Sequence, residues 1–158
     1  MSVTHFIRWF KDVTIADVGL VGGKNASLGE MMQALVPQGI SIPNGFAITA
    51  DGYRHVLRIG NLAQQIRTLL SDLDTRDFGN LAERGRRTRE AILATPLPAD
   101  LTREICAAYA TLCDEYGPET DVAVRSSATA EDLPDASFAG QQESFLNIRG
   151  ERALLDAC

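Results

Sequence analysis

Hydrophobic residues recur at helical spacing in several stretches of the chain. Leu28, Met31, Met32 and Leu35 fall at i, i+3, i+4 and i+7, which predicts a helix that buries these side chains on one face. Residues 61–94 are predicted to be mainly helical, with a break over residues 74–79. The apolar stripe in the first part of that region consists of Leu62, Ile66, Leu69, Leu70 and Leu73.

A further amphipathic helix is predicted after two closely spaced prolines, and Gly117-Pro118 is its stop signal. Its apolar positions are Leu101, Ile105, Ala108, Tyr109, Leu112 and Tyr116. Thr49 is placed to cap an earlier helix. A last helix begins at Glu151 and reaches Cys158 without a terminating signal, so we expect the sequence to be part of a longer chain.

Short strands are predicted between these helices. Residues 6–10 and 46–49 are largely apolar, and residues 121–126 alternate in polarity as a half-buried strand does. A long loop of small and polar residues is predicted over 126–140, and another strand over 143–148. The pattern indicates an α+β (α/β) fold in which a mixed short sheet is combined with several helices.

Composition and charge narrow the classes of function. The chain has 158 residues, about one domain, and its net charge of −6 argues against non-specific binding of nucleic acid. No apolar run approaches the ~20 residues that cross a bilayer, and the N-terminus does not resemble a signal peptide. Cys106 and Cys113 lie seven residues apart on a predicted helix, too far for a disulfide, which is typical of reduced cysteines in a cytoplasmic protein.

The first segment with candidate chemistry is the glycine-rich turn at Gly22-Gly23-Lys24. Glycines let a backbone approach a ligand closely, and the N-terminus of the following helix and a lysine both attract phosphate. The spacing is not that of a Walker A loop, because Val18 stands where that motif needs glycine and Asn25 where it needs serine or threonine. Taken alone, the segment is a weak signal, and a tight turn with a solvated lysine is the simpler interpretation.

The second segment begins where the strand over 121–126 ends. Arg125 lies at the end of this strand, where a rigid backbone would hold its guanidinium for bidentate binding of phosphate. Residues 136–140 have small side chains and one aromatic ring, and they are suited to fold over a triphosphate. The alternative is a surface loop in which Arg125 pairs with Glu131 or Asp132. The acidic residues of this loop are assigned no metal, so no metal ligand is predicted in this segment.

Together the two segments resemble a known family. Residues 21–31 (VGGKNASLGEM) resemble the opening motif of the nucleotide-binding domain of the phosphoenolpyruvate synthase and pyruvate, phosphate dikinase family. Residues 42–47 resemble its next landmark, and residues 124–147 resemble the signature stretch of the phosphoenolpyruvate synthases. The resemblance implies an ATP-grasp-type domain, in which ATP lies between two α+β subdomains. Residues 1–158 would then be the N-terminal subdomain, one part of the ATP-binding domain.

The resemblance also implies site residues and a reaction. Lys24 and Arg125 would contact the ATP phosphates, Gly140 would lie in the loop that covers them, and Ser144 would be a neighbouring contact. The family converts ATP, pyruvate and water to AMP, phosphoenolpyruvate and phosphate through a phosphohistidine on another domain. Nothing here resembles the phosphohistidine domain or the pyruvate-binding domain, so no catalytic residue is expected in this segment.

Several expectations follow from that incomplete match. His5 and His55 are expected to be structural or exposed, the Mg²⁺ ligands are expected outside this segment, and the chain alone is expected to be inactive. Pyruvate would be bound through other domains, and association between copies is left open. Two alternatives remain, which are a related dikinase such as a rifamycin phosphotransferase and a binding module without catalysis.

Overall fold

The computed structural model describes residues 6–129, 132–133, 136–137 and 143–158, of which the two short ranges are described by their backbone alone. The α-helices in these ranges are α1 (Val18–Val21), α2 (Gly23–Leu35), α3 (Ala50–Ile59), α4 (Leu62–Leu69), α5 (Phe78–Leu93), α6 (Ala99–Tyr116) and α7 (Glu151–Ala157). Short 3-10 turns lie at Phe10–Asp12, Ile15–Asp17 and Val36–Gln38.

The strands pair as separate antiparallel ladders. They are β1 (Ile7–Trp9), β2 (Phe46–Ile48), β3 (Val122–Arg125), β4 (Asp132–Leu133), β5 (Ala136–Ser137) and β6 (Ser144–Ile148). In the described ranges β1 pairs with β2, β3 with β6, and β4 with β5. The expected α+β class is confirmed, but the mixed short sheet is not found among the described strands, because each of them pairs with a single antiparallel partner. The range predicted as one long loop contains the β4–β5 pair.

The chain divides into two compact units. Unit 1 comprises residues 1–52 and 100–158, and unit 2 comprises residues 53–99. The division falls within α3, whose start is capped as predicted, since the Gly52 N–H donates to Thr49 Oγ1 (3.3 Å).

Unit 1 ties its N-terminal strand to α6 and to β2. The backbone N–H of Phe6 donates to Glu104 Oε2 on α6 (2.7 Å), and the N–H of Thr49 donates to the Phe6 carbonyl (2.8 Å). Trp9 and Phe46 meet edge to face across the β1–β2 pair, with ring centroids 5.8 Å apart. The strands predicted over 6–10 and 46–49 are confirmed.

Helix α6 buries the face that its periodicity predicts. Leu101, Ile105, Ala108, Tyr109 and Leu112 are all buried, whereas Tyr116 in the last turn is 47% exposed. The helix ends before Gly117, whose φ of +113° few other residues adopt, so the predicted stop signal is confirmed. The Tyr109 hydroxyl donates to the Thr120 carbonyl (2.8 Å) and accepts from the Gly150 N–H (2.9 Å). It therefore joins the approach to β3 to the start of α7.

Helix α2 departs from its predicted orientation. Leu28 is 37% and Met31 46% exposed, whereas the buried residues of this helix are Ala26 and Gly29. A Cβ on Gly29 would lie 2.2 Å from the Val13 carbonyl oxygen. The prediction of a buried face made of large apolar residues was wrong at Leu28 and Met31, because the helix approaches the backbone at Val13 through its small residues.

Unit 2 is helical, as predicted for residues 61–94. Leu62 is fully buried, and α4 ends at Leu69, before the last two leucines of its predicted stripe. Asp77 caps α5 by accepting from the N–H groups of Gly79 (2.9 Å) and Asn80 (3.2 Å), which confirms the break before this helix. His55 is buried, and its Nδ1 accepts from the Arg58 guanidinium (2.7 Å). This is the structural role expected for it.

Cys106, Cys113 and Cys158 are all free. Across the described ranges, no helix combines the length and the apolar character that crossing a membrane requires.

The β3–β6 ladder contains an irregularity. Val122 pairs with Ile148 and Val124 pairs with Phe145, so β6 has one extra residue between the two pairs. Asn147 lies in this bulge with φ of +56°.

Candidate functional site

The glycine turn places Lys24 in the first turn of α2. Gly22 is the residue before the helix and has φ +83° and ψ +160°, a conformation that is essentially restricted to glycine. Having no side chain, Gly22 cannot cap the helix. Asn25 holds the turn instead, since its Nδ2 donates to the Val21 carbonyl (2.8 Å). Lys24 itself is exposed.

This turn packs against the residues that follow β3. The Gly23 N–H donates to the Ala128 carbonyl (3.3 Å). A Cβ on Gly22 would lie 2.2 Å from Ser127 Oγ and 3.0 Å from both the N and the O of Ala128. The two segments that carry candidate chemistry in the sequence are therefore in direct contact. We call this contact between Gly22-Gly23 and Ser127-Ala128 the glycine seat.

Arg125 is the last residue of β3 and lies two residues before Ser127 of the glycine seat. It is exposed and pairs in the antiparallel register with Ser144, the first residue of β6, which is also exposed. Residues directly opposite one another in an antiparallel pair project from the same face, with Cβ atoms about 5 Å apart. The ladder thus presents a guanidinium and a hydroxyl side by side. Both are donors that suit the oxygen atoms of an anion.

Of the four predicted binding residues, the structure describes three. Arg125 and Ser144 are brought together as a cross-strand pair, and Lys24 follows the turn that contacts the loop after Arg125. Gly140 lies outside the described residues. The assignment of a ligand to Lys24, Arg125, Gly140 and Ser144 stays a prediction.

Sequence reasoning missed the role of Ser127. Its Oγ is buried and has no hydrogen-bond partner among the described residues, and it faces the Cα of Gly22. The glycine at position 22 was interpreted as a close approach of backbone to ligand, whereas in the structure the space beside it is filled by Ser127 and Ala128. No local signal reveals such a contact, because the two segments lie far apart in the sequence.

The landmark at residues 42–47 is fixed to the end of α6. The Tyr116 hydroxyl accepts from the Asn44 N–H (2.7 Å), and the Asn44 side-chain amide donates to Glu115 Oε2 (3.0 Å). The pKa of the Glu115 carboxyl is lowered first by this Asn44 hydrogen bond and then by one from Tyr116. On the other side, the Gly45 carbonyl accepts from the Phe10 N–H (3.0 Å). These contacts hold β2 in place.

The charges near the glycine seat are suited to anions. Lys24 and Arg125 bring two cations to a chain with net charge −6. Within the ranges that the structure describes, no group of three or more His, Cys, Asp or Glu residues is arranged to hold a metal ion. The described part of the site offers two cations, a hydroxyl and a helix N-terminus, which are groups that suit the oxygen atoms of an anion.

Comparison with known proteins gives a family model and several curated relatives. The model described as "Pyruvate phosphate dikinase, AMP/ATP-binding domain" matches residues 18–158. A phosphoenolpyruvate synthase of Synechocystis sp. is 51% identical over 160 residues, which cover 98% of this chain and 20% of the relative. Those of Helicobacter pylori (52% identical) and Escherichia coli (48%) each match 96% of this chain and 19% of their own length. The chain spans about a fifth of the length of these relatives.

Proposed function

Because the chain belongs to the family of pyruvate phosphate dikinase AMP/ATP-binding domains, we propose that it supplies the part of an ATP site that faces the phosphates. The observation that carries this proposal is the glycine seat. Through it, the helix that carries Lys24 in its first turn and the strand that ends with Arg125 converge on one place. Two cations on converging rigid elements are what a polyphosphate requires.

Each residue has a distinct part in the proposed site. The Lys24 ammonium acts as a compact charge on one phosphate oxygen, and the N-terminus of α2 adds its partial positive charge. The planar Arg125 guanidinium binds two oxygen atoms in parallel. Ser144, directly opposite Arg125, donates a neutral hydrogen bond to the same group. Gly140 is assigned to the covering loop by resemblance alone.

The proposed domain has the ATP-grasp type of fold, with ATP between two α+β subdomains. This chain provides the first subdomain, and residues beyond it complete the nucleotide site and hold Mg²⁺. When bound, Mg²⁺ would neutralise part of the phosphate charge. Because so much of the site is proposed to lie elsewhere, the 158-residue chain alone is expected to be inactive.

For the whole protein we propose the activity that its relatives' names state, the synthesis of phosphoenolpyruvate. ATP, pyruvate and water would give AMP, phosphoenolpyruvate and phosphate, with a histidine on another domain carrying the phosphoryl group between the two half-reactions. The residues of this chain would serve the first half-reaction, in which ATP is cleaved. Positioned cations there stabilise the charge on the oxygen atoms of the transferred group.

The test is the ATP affinity of two variants of the complete protein that the gene encodes. Lys24→Ala and Arg125→Ala should each weaken ATP binding about tenfold or more in titration calorimetry, because each removes a charged partner of the phosphates. Both should also slow AMP formation that depends on pyruvate. Exchange of label between phosphoenolpyruvate and pyruvate should largely survive, since that half-reaction does not use ATP.

Arg103→Ala is the matched control, because Arg103 is an exposed arginine on α6 in the same unit. It should leave ATP affinity unchanged. Wild-type ATP affinity in both Lys24→Ala and Arg125→Ala would overturn the proposed site. Equal loss of both half-reactions would instead identify misfolding, and thermal unfolding of each variant detects that directly.

A further inference from the structure

We propose that Gly22 is a positioning residue for phosphate binding, which acts through the glycine seat rather than by touching the ligand. Its lack of a side chain lets the turn before α2 close onto Ser127 and Ala128, and this closure sets the spacing between Lys24 and Arg125. The inference deepens the proposed function and rests on it.

The connection between the two cations is short. Lys24 directly follows Gly23, whose N–H donates to the Ala128 carbonyl (3.3 Å), and Ala128 lies three residues after Arg125. Since consecutive Cα atoms are 3.8 Å apart, the Cα atoms of Lys24 and Arg125 each lie within about 11 Å of chain from a residue of this hydrogen bond. A displacement of the glycine seat is therefore expected to change the separation of Lys24 and Arg125.

The seat leaves no room for a larger residue at position 22. The Ser127 hydroxyl is buried and has no hydrogen-bond partner among the described residues, so its contribution here is to fill space beside Gly22. A Cβ at position 22 would meet this hydroxyl at 2.2 Å and the Ala128 backbone at 3.0 Å. Rotation of Ser127 relieves the first contact, but relief of the second requires the backbone to move.

Another glycine of unit 1 serves as a control, because alanine there would cause backbone strain without a steric clash. Gly150 has nearly the same backbone conformation as Gly22 (φ +79°, ψ +154°), yet a Cβ added there meets nothing within 4 Å in the described structure. Gly150→Ala imposes the same backbone strain without a clash, whereas Gly22→Ala imposes both. The two substitutions form a matched pair in which the contact with Ser127-Ala128 is the main difference.

The experiment measures ATP affinity and thermal unfolding in the complete protein that the gene encodes. Gly22→Ala should weaken ATP binding about tenfold or more, because small displacements of binding groups are costly. Gly150→Ala should leave ATP affinity within about twofold of wild type. Ser127→Val adds bulk from the other side of the seat without straining position 22, and it should also weaken ATP binding. Ser41→Val, at an exposed serine, should not.

A rescue distinguishes positioning from a general loss of structure. Adding Ser127→Gly to Gly22→Ala removes the side chain that the new Cβ meets, so part of the ATP affinity should return. If Gly22→Ala merely destabilised the fold, a second flexible glycine would lower the affinity further. Should Gly22→Ala fail to fold, Ser127→Val carries the same test.

Two outcomes overturn the inference and are distinguishable. If Gly22→Ala and Ser127→Val bind ATP as wild type does while Lys24→Ala does not, the seat has no positioning role and the phosphate site stands. Failure of the Ser127→Gly rescue would likewise reject positioning through this contact. If Lys24→Ala and Arg125→Ala also bind ATP normally, it is the proposed function that fails.

Discussion

The contacts that stabilise unit 1 differ in kind from those that stabilise unit 2. In unit 1 the contacts join residues that lie far apart in the sequence, since Phe6 and Glu104 are 98 residues apart and Asn44 and Tyr116 are 72 residues apart. In unit 2 most ion pairs in the described part of α5 are local, since Arg86 bonds glutamates three and four residues away, and the longest reaches only from Arg84 to Asp72, twelve residues away. The described part of α5 has no buried residue.

This difference is consistent with a site in unit 1, where it is proposed. Long-range contacts fix the relative positions of distant segments, which a site assembled from α2, β3 and β6 requires. Local pairs on an exposed helix support that helix and fix little else, and exposed ion pairs contribute weakly to stability. We therefore expect unit 1 to be sensitive to substitution and the surface of unit 2 to be tolerant.

The largest expected difference in stability is between substitution of a buried leucine and substitution of an exposed one. Leu101 is 1% exposed in unit 1, and Leu93 is 84% exposed in unit 2. Leu101→Ala should lower the free energy of unfolding by about 2–5 kcal/mol, because it removes buried surface and leaves a cavity. Leu93→Ala should change it by less than about 0.5 kcal/mol. Urea unfolding measures both, and similar losses would contradict the comparison.

An intermediate effect is expected at Tyr109. Tyr109→Phe removes the hydroxyl that bonds the Thr120 carbonyl and the Gly150 N–H, which leaves two backbone groups without that partner. The free energy of unfolding should fall by about 1–3 kcal/mol. Tyr53→Phe, at a tyrosine that is 55% exposed, is the control. Equal urea midpoints for the two variants would show that this long-range link contributes nothing.

The smallest effect is expected at Glu83 of unit 2. Hydrogen bonds from Arg86 and then Arg87 lower the pKa of this carboxyl from 4.5 to about 2. Because the folded-state pKa is the lower one, the pairs stabilise the fold above pH 4.5 and lose their effect as the pH falls through about 2.

Glu83→Gln should therefore shift the urea midpoint at pH 7 less than Tyr109→Phe does, and the shift should vanish near pH 2. An NMR titration of the Glu83 carboxyl carbon measures the pKa directly. A midpoint at the ordinary value of 4.5, or a loss of stability as large as that of Tyr109→Phe, would contradict this prediction.

The sequence predicts α6 well and α2 poorly, for one physical reason. The buried face of α6 consists mainly of large apolar residues such as Leu101 and Ile105, whose periodicity is easily recognised. The buried residues of α2 are Ala26 and Gly29, because this helix lies close to the backbone at Val13. A search for large apolar residues selects the wrong face when close approach requires small ones.

The candidate site is predictable in its parts and not in its assembly. A strand that ends at Arg125 and a helix that begins near Lys24 both follow from local pattern. The contact of Gly22 with Ser127 does not, because it depends on how distant segments pack. The pairing of Arg125 with Ser144 does not follow either, since it depends on a bulge that alternation alone does not reveal.

That bulge decides which chemical group stands beside the arginine. Counting evenly from the Val122–Ile148 pair would set Phe145 opposite Arg125, and the extra residue in β6 moves Ser144 there instead. A small hydroxyl therefore occupies the place of an aromatic ring. Deletion of Asn147 would leave Ser144 opposite Arg125, whereas a register slip that flattens the bulge would put Phe145 there, so the register of this strand controls the site as directly as its composition does.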